Sequence, residues 1–191
     1  PWWIEGKGFL HLFTKYTGVR ELYWNTSPDG RSWTPDRKLA GIEGHYQTSS
    51  RRGNRVITAF NMHPEGKPDL RTNLYYVETN DLGKTWRTIG GDVMETPMTD
   101  KHCPALIRDF EDEGRLVYMK DINFDAADNP VILVVTSADH KAGPSGNPRE
   151  WTLCHWRGDH WDFRVVTTST HNYDMGSLYI EPDGVWRIIA P

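Results

Sequence analysis

Cysteine is almost missing from this 191-residue chain, with only Cys103 and Cys154 present. One disulfide at most is therefore available, which excludes a scaffold stapled by several bridges. Both residues fall in strand candidates of one repeat and are expected as buried free thiols, a zinc role being the weaker expectation. No apolar run approaches eighteen residues, so no membrane-spanning helix is encoded, and no signal peptide is visible. No window sustains an apolar i, i+3, i+4 pattern, which predicts almost no helix. A net charge of −4 removes the electrostatic case for nucleic acid or an anionic membrane as partner.

What the chain does have is nine Trp, eight Tyr and six Phe with 17 Gly and 12 Pro, the composition of many short strands joined by tight turns. Two stretches resemble each other. Ser27 to Trp33 reads SPDGRSW and Thr79 to Trp86 reads TNDLGKTW, a step of 52 residues from Ser27 to Thr79. An Asp two positions after a Ser or Thr can turn its carboxylate onto the backbone N–H groups of the turn that follows. Gly30 and Gly83 supply a residue free to take φ > 0. Trp33 and Trp86 are expected to fold under the turn and anchor it. Asp29 and Asp81 are thus read as structural rather than catalytic.

The second stretch matches Ser/Thr-x-Asp-x-Gly-x-Thr-Trp at Thr79, Asp81, Gly83, Thr85 and Trp86. In this it resembles the Asp box of the sialidase-like BNR-repeat β-propellers; Ser27, Asp29, Gly30 and Trp33 form a shortened copy. The resemblance implies an all-β chain of four-stranded antiparallel blades, with the box between the third and fourth strands of each. Strands are predicted at Gly8–Tyr16, Glu21–Asn25 and Trp33–Leu39, with PWWIEG as a possible opening strand. A second blade takes His45–Ser50, Arg55–Asn61, Asn73–Glu78 and Trp86–Gly90. A third takes Pro104–Asp109, Arg115–Asp121 and Val131–Ser137, followed by Trp151–Trp156 and Trp161–Thr167, one run more than four strands require. Met175–Glu181 and Val185–Ile189 begin a fourth. The expected division is 1–41, 42–92, 100–168 and 171–191, about three and a half blades of a six- or seven-bladed ring whose other blades lie in a longer chain.

In such a blade the start of the first strand and the end of the second share one face, opposite the Asp-box turns. That rule collects His45, His102 and His171 with Asn172 and Tyr173 from strand starts, and Lys15, Tyr16, His63, Lys120 and Asp121 from strand ends. No carboxylate pair of the ordinary glycosidase kind is evident. Histidine and tyrosine suit proton transfer near neutral pH, as in β-elimination beside a uronate carboxylate. The stretches GHYQTSS, TAFNMHPEG and HNYDMGSLYIE further resemble the BNR-repeat branch of ulvan lyases and rhamnose–glucuronate-cleaving enzymes. That branch implies two acid–base histidines about twenty residues apart, here His45 and His63, eighteen apart. It also implies a tyrosine, for which Tyr173 stands, and a carboxylate-neutralising arginine, with Arg71 and Arg149 in loops of that face. The remaining rim residues become substrate-binding. An oligo- or polysaccharide partner and a secreted, periplasmic or cell-surface location follow. No cofactor is required, though a structural Ca or Zn ion is compatible. An exo-sialidase-type hydrolase and a non-catalytic glycan-binding propeller are the alternatives.

Overall fold

The computed structural model describes residues 1–191 as four antiparallel sheets laid face to face. The first is β1 (Trp2–Ile4), β2 (Gly8–Tyr16), β3 (Arg20–Ser27) and β4 (Arg37–Ala40), hydrogen-bonded in that order. The second runs β5 (Gln47–Arg52), β6 (Arg55–Met62), β7 (Thr72–Thr79), β8 (Trp86–Arg87) and β9 (Val93–Met94), with β10 (Leu106–Arg108) also on β7. The third is β11 (Leu116–Phe124), β12 (Pro130–Ser137), β13 (Glu150–Trp156) and β14 (Trp161–Thr168). A two-stranded sheet, β15 (Ser177–Ile180) and β16 (Trp186–Ile189), follows. No α-helix forms; the only helical turns are two three-residue 3₁₀ segments.

Alternation along the strands sorts side chains between layers, because successive residues point to opposite faces. On β6, Val56, Phe60 and Met62 join Leu10, Leu12 and Trp24 in the core between the first two sheets. Ile57 and Ala59 face the other way and meet Ile122, Phe124, Ile132 and Val134 of the third sheet. On β12, Ile132 and Val134 look back to the second sheet, while Val131, Leu133 and Val135 pack with Trp151 of the same sheet and Leu178 of the fourth. Both faces of these strands are buried, which is why they read as continuous apolar runs.

The surplus run is accounted for by β10. β8 is only two residues long and pairs with β7 at Glu78, leaving the other half of that edge open. Leu106 and Arg108 fill it opposite Tyr75 and Leu74, so the backbone groups of β7 are paired along its length. The predicted third unit is therefore wrong in its first strand. Leu116–Phe124, not Pro104–Asp109, opens the third sheet, and its direction relative to the rim is reversed. Cys103 consequently belongs with the second sheet, half-buried before β10, and Cys154 lies buried in β13; neither is bridged.

The two Asp turns form by hydrogen bonding at the β3–β4 and β7–β8 connections. Asp81 Oδ1 accepts from Thr79 Oγ1 at 2.8 Å and Thr85 N at 3.0 Å, and Oδ2 accepts from Thr85 Oγ1 at 2.7 Å. Partial burial opposes ionisation of Asp81, but these donors outweigh it and hold the carboxyl below its usual range. Asp29 accepts from Arg31 N and Ser32 N, each at 2.8 Å, and from Ser27 Oγ. The turns lie at one end: Lys7 Nζ, beside the first, donates to Asn80 O in the second.

Their tryptophans differ. Trp86 is buried edge-on against Trp24, with ring centroids 5.7 Å apart. Trp33, expected in the same role, stays 37% exposed and outside any strand, its Nε1 donating to Gly30 O and its ring near Phe9 and His11. Asp81→Ala is therefore expected to lower unfolding free energy by about 1–3 kcal/mol, with a smaller loss for Asp29→Ala. Urea denaturation of both variants checks this; equal losses, or a larger one at Asp29, would contradict the unequal anchoring.

Candidate functional site

At the end opposite the Asp turns, loops from three sheets meet. His45 N donates to Arg20 O at 2.7 Å, His63 N to Gly44 O at 3.0 Å and Val117 N to Arg71 O at 2.8 Å. These contacts bring the β2–β3 turn, the approach to β5, the β6–β7 loop and the start of β11 into one cluster.

Arg71 is its centre. The guanidinium carbon lies 4.3 Å from the ring centroid of Tyr46 and 5.1 Å from those of both Tyr118 and Tyr173. Arg20 extends the stack, 4.8 Å from Tyr16 and 5.1 Å from Tyr46. Lys120 Nζ donates to Asn172 O at 2.8 Å and sits over the rings of Tyr118 and Trp151. Burial, and then Arg71, depress its ammonium to about 8. Each sheet thus contributes one cation, and none of the three has a carboxylate within the 4.0 Å of an ion pair. Lys15, Lys38, Arg55 and Arg115, by contrast, are all paired. Cations stacked on aromatic faces and left without counter-ions present positive charge to an anionic ligand.

The two histidines part company. His45 is fully buried; Nε2 accepts from Ile42 N at 2.9 Å and Nδ1 donates to Asn61 O at 2.7 Å. Both nitrogens are spent on backbone, so the ring holds the approach to β5 in place and offers nothing to a substrate. The shared reach expected of His45 and His63 is therefore not available to His45. His63 is different: its Nε2 is buried without a hydrogen-bond partner, beneath Tyr46 with ring centroids 4.7 Å apart. Burial, then Arg71, His45 and Arg20, lower it to about 3, so it is neutral.

Tyr173 stands at the rim, 37% exposed, its hydroxyl donating to Asp69 Oδ1 at 2.6 Å. Burial first, then that carboxylate, push the phenol above its ordinary value. Tyr16 is exposed against Arg20, and His171 lies beside Tyr173, accepting its backbone N–H at Nδ1. Asn172 is buried, accepting from Arg149 Nε at 2.7 Å. Three expected rim residues lie elsewhere. Lys15 pairs with Asp36 at 3.0 Å on the outer face of the first sheet. His102 faces Asp109 at 3.6 Å in the turn before β10. Asp121 accepts from Leu178 N and fastens β15 to β11.

Arg20, Tyr46, Asp69 and Tyr118 were not foreseen. Tyr46 directly follows His45, so the strand-start rule reaches it when applied one residue further, whereas Arg20 opens β3 four residues after Tyr16 and lies outside that rule. Tyr118 was hidden by the misplaced strand. No group of three or more His, Cys, Asp or Glu side chains converges as a metal site would require, so the Ca or Zn expectation has no ligand set here.

The family description "BNR repeat-containing family member" matches residues 10–169. No curated protein matches the sequence. Among solved structures, an ulvan lyase of polysaccharide lyase family PL25 superposes with a TM-score of 0.71 at 15% identity, over 89% of this chain and 43% of that one. The same lyase bound to GlcA(1-4)Rha3S gives the same values. Polysaccharide lyase Uly1 gives 0.68 at 8% identity, over 98% of this chain and 47% of that one. The chain spans less than half the length of these structures.

His45 leaves a thermodynamic signature. Burial holds it at about 4 against an ordinary 6.5, because a proton on Nε2 would face the Ile42 N–H donor. The unfolded chain takes up that proton first, so this contribution is present above pH 6.5 and is lost as pH falls to about 4. The loss is roughly 3 kcal/mol. Urea midpoints across that window should fall more steeply for the native chain than for His45→Asn, and an imidazole resonance of His45 titrating near 6.5 would contradict the burial.

Proposed function

The chain belongs to the BNR repeat-containing family, and on that premise we propose that it forms part of a polysaccharide lyase acting on a uronate-bearing polymer by β-elimination. The observation that carries the reading is the set of counter-ion-free cations, Arg20, Arg71 and Lys120, among four tyrosines at one rim. The likeness to lyase structures supports it. The sheets are read as propeller blades, with further blades of a longer chain completing a ring, and a polymeric substrate puts the enzyme outside the cytoplasm.

Arg71 receives the uronate carboxylate, neutralising the charge that makes the neighbouring C5 proton hard to remove. His63 is the base. It is neutral, and a carboxylate docked between Arg71 and Arg20 offsets two of the charges that depress its basicity. Tyr46 covers His63, so docking displaces the Tyr46 ring. The C5–H electrons form the C4–C5 double bond, the C4–O bond breaks, and its electron pair leaves on the oxygen. Tyr173, kept protonated, supplies the proton that oxygen takes. Arg20, Tyr16, Lys120 and His171 line the remaining surface and hold adjoining sugars.

Arg71→Gln in the full-length protein should lower kcat/KM on an acidic polysaccharide by about a thousandfold, as loss of a charge-stabilising donor does, with little change in Tm. Ultraviolet absorbance of the unsaturated product is the readout. A folded variant with near-native turnover would remove Arg71 from the mechanism, and new reducing ends without unsaturation would indicate a hydrolase.

A further inference from the structure

Beyond the base, the neutraliser and the proton donor, one carboxylate touches the machinery without being explained by it. Asp69 lies in the β6–β7 loop, two residues before Arg71, and is exposed. Its main-chain oxygen accepts from Tyr118 Oη at 2.8 Å, and its carboxylate accepts from Tyr173 Oη at 2.6 Å. These phenols come from different parts of the chain, Tyr118 from β11 and Tyr173 from the segment before β15. Both rings stack on Arg71, and they stand 5.4 Å from each other at a steep angle. The loop turns so that one short stretch, Asp69 to Arg71, grips two tyrosines by their hydroxyls and by their faces. Arg71 Nε is tied back to Pro68 O at 2.7 Å, which holds the stretch together.

We propose that Asp69 is a positioning residue that fixes the Tyr173 phenol over Arg71 and keeps it un-ionised until substrate docks; the hydroxyl then turns from Asp69 to the leaving oxygen and gives up its proton there, and the phenolate left behind is held by Arg71. The assignment rests on the lyase reading above. A carboxylate accepting the phenol's only proton sets the oxygen's direction, and it makes a phenolate at that point costly because two anions would face each other. The other groups facing Tyr173 are the Arg71 guanidinium, which favours the phenolate, the Tyr118 ring and the His171 ring, with Asp174 adjacent in sequence. Of these only Asp69 hydrogen-bonds the hydroxyl, and only it is near enough to oppose Arg71 directly. Asp69 touches neither C5 nor the leaving oxygen in the proposed geometry, so it acts through Tyr173.

The test combines spectroscopy with kinetics on the full-length protein labelled with ¹³Cζ-tyrosine, the Tyr173 signal being assigned by its disappearance in Tyr173→Phe. In the native protein that signal should stay unshifted up to about pH 11, above the ordinary tyrosine range. In Asp69→Asn it should start to titrate at least one pH unit lower. On an acidic polysaccharide, Asp69→Asn should lose about tenfold or more in kcat with KM changed less than about threefold, and the alkaline limb of kcat should move to lower pH. Asp69→Glu should restore part of both. A Tyr173 signal that titrates alike in native and Asp69→Asn protein overturns the assignment, as does a variant whose Tm falls while kcat and its pH profile stay put. A native protein that yields no unsaturated product overturns the lyase reading, and with it any catalytic part for Asp69, whatever the spectrum shows.

Discussion

Face-to-face stacking of sheets buried on both sides is the constraint from which the rest follows. Because β6 and β12 sit between neighbours, both faces of each are buried, and the alternation of Val56, Phe60 and Met62 with Ile57 and Ala59 splits one strand between two cores. Removing either neighbour would expose half of that strand. At roughly 1.5–3 kcal/mol for each fully buried aliphatic side chain, these layers supply most of the stabilisation available to a helix-free chain. They also hold the strand ends in register, so that loops from separate sheets arrive at the same rim.

That rigidity makes an electrostatically unfavourable site tenable. Three cations without carboxylate partners, two of them stacked on the same Tyr46 ring, repel one another, and burial further penalises Lys120. Tyrosine faces and backbone carbonyls offset part of the cost without cancelling the charge. Asn61 illustrates the supporting structure. It lies fully buried behind the cluster, its carbonyl taking His45 Nδ1, its side-chain oxygen taking Tyr46 N and its amide donating to Val117 O across to the third sheet. Neutral hydrogen bonds of this kind orient Tyr46 and His45 while leaving the positive potential for a ligand.

Much of the architecture was legible because it is local. The alternating run Gly8–Tyr16, the continuous apolar run Val131–Ser137 and the Asp turns are decided within a few residues. The site was less legible because it is assembled by long-range pairing. A two-residue β8 left an edge that β10 filled, and that single exchange reversed the assumed direction of β11, promoting Tyr118 and demoting Asp121 and His102. His45 misled for a different reason. Its spacing from His63 is that of a catalytic pair, yet only the backbone around it reveals that Ile42 N and Asn61 O already occupy its ring. Arg71 was visible only as one loop arginine among others until three tyrosines from three separate segments closed on it.

The connection between β6 and β7 carries His63, Asp69 and Arg71 within nine consecutive positions, while the strands on either side are fixed by two cores. Three of the groups proposed for the reaction therefore ride on one loop between fixed strands. A single insertion in that segment would displace all three together, whereas exchange of the whole segment would move the proposed base, neutraliser and positioning group in one step and leave the proposed donor, Tyr173, behind. Divergence of activity in this scaffold is then expected to proceed first by replacement of that loop, with Arg20, Tyr118 and Lys120 held in place by the strands that carry them.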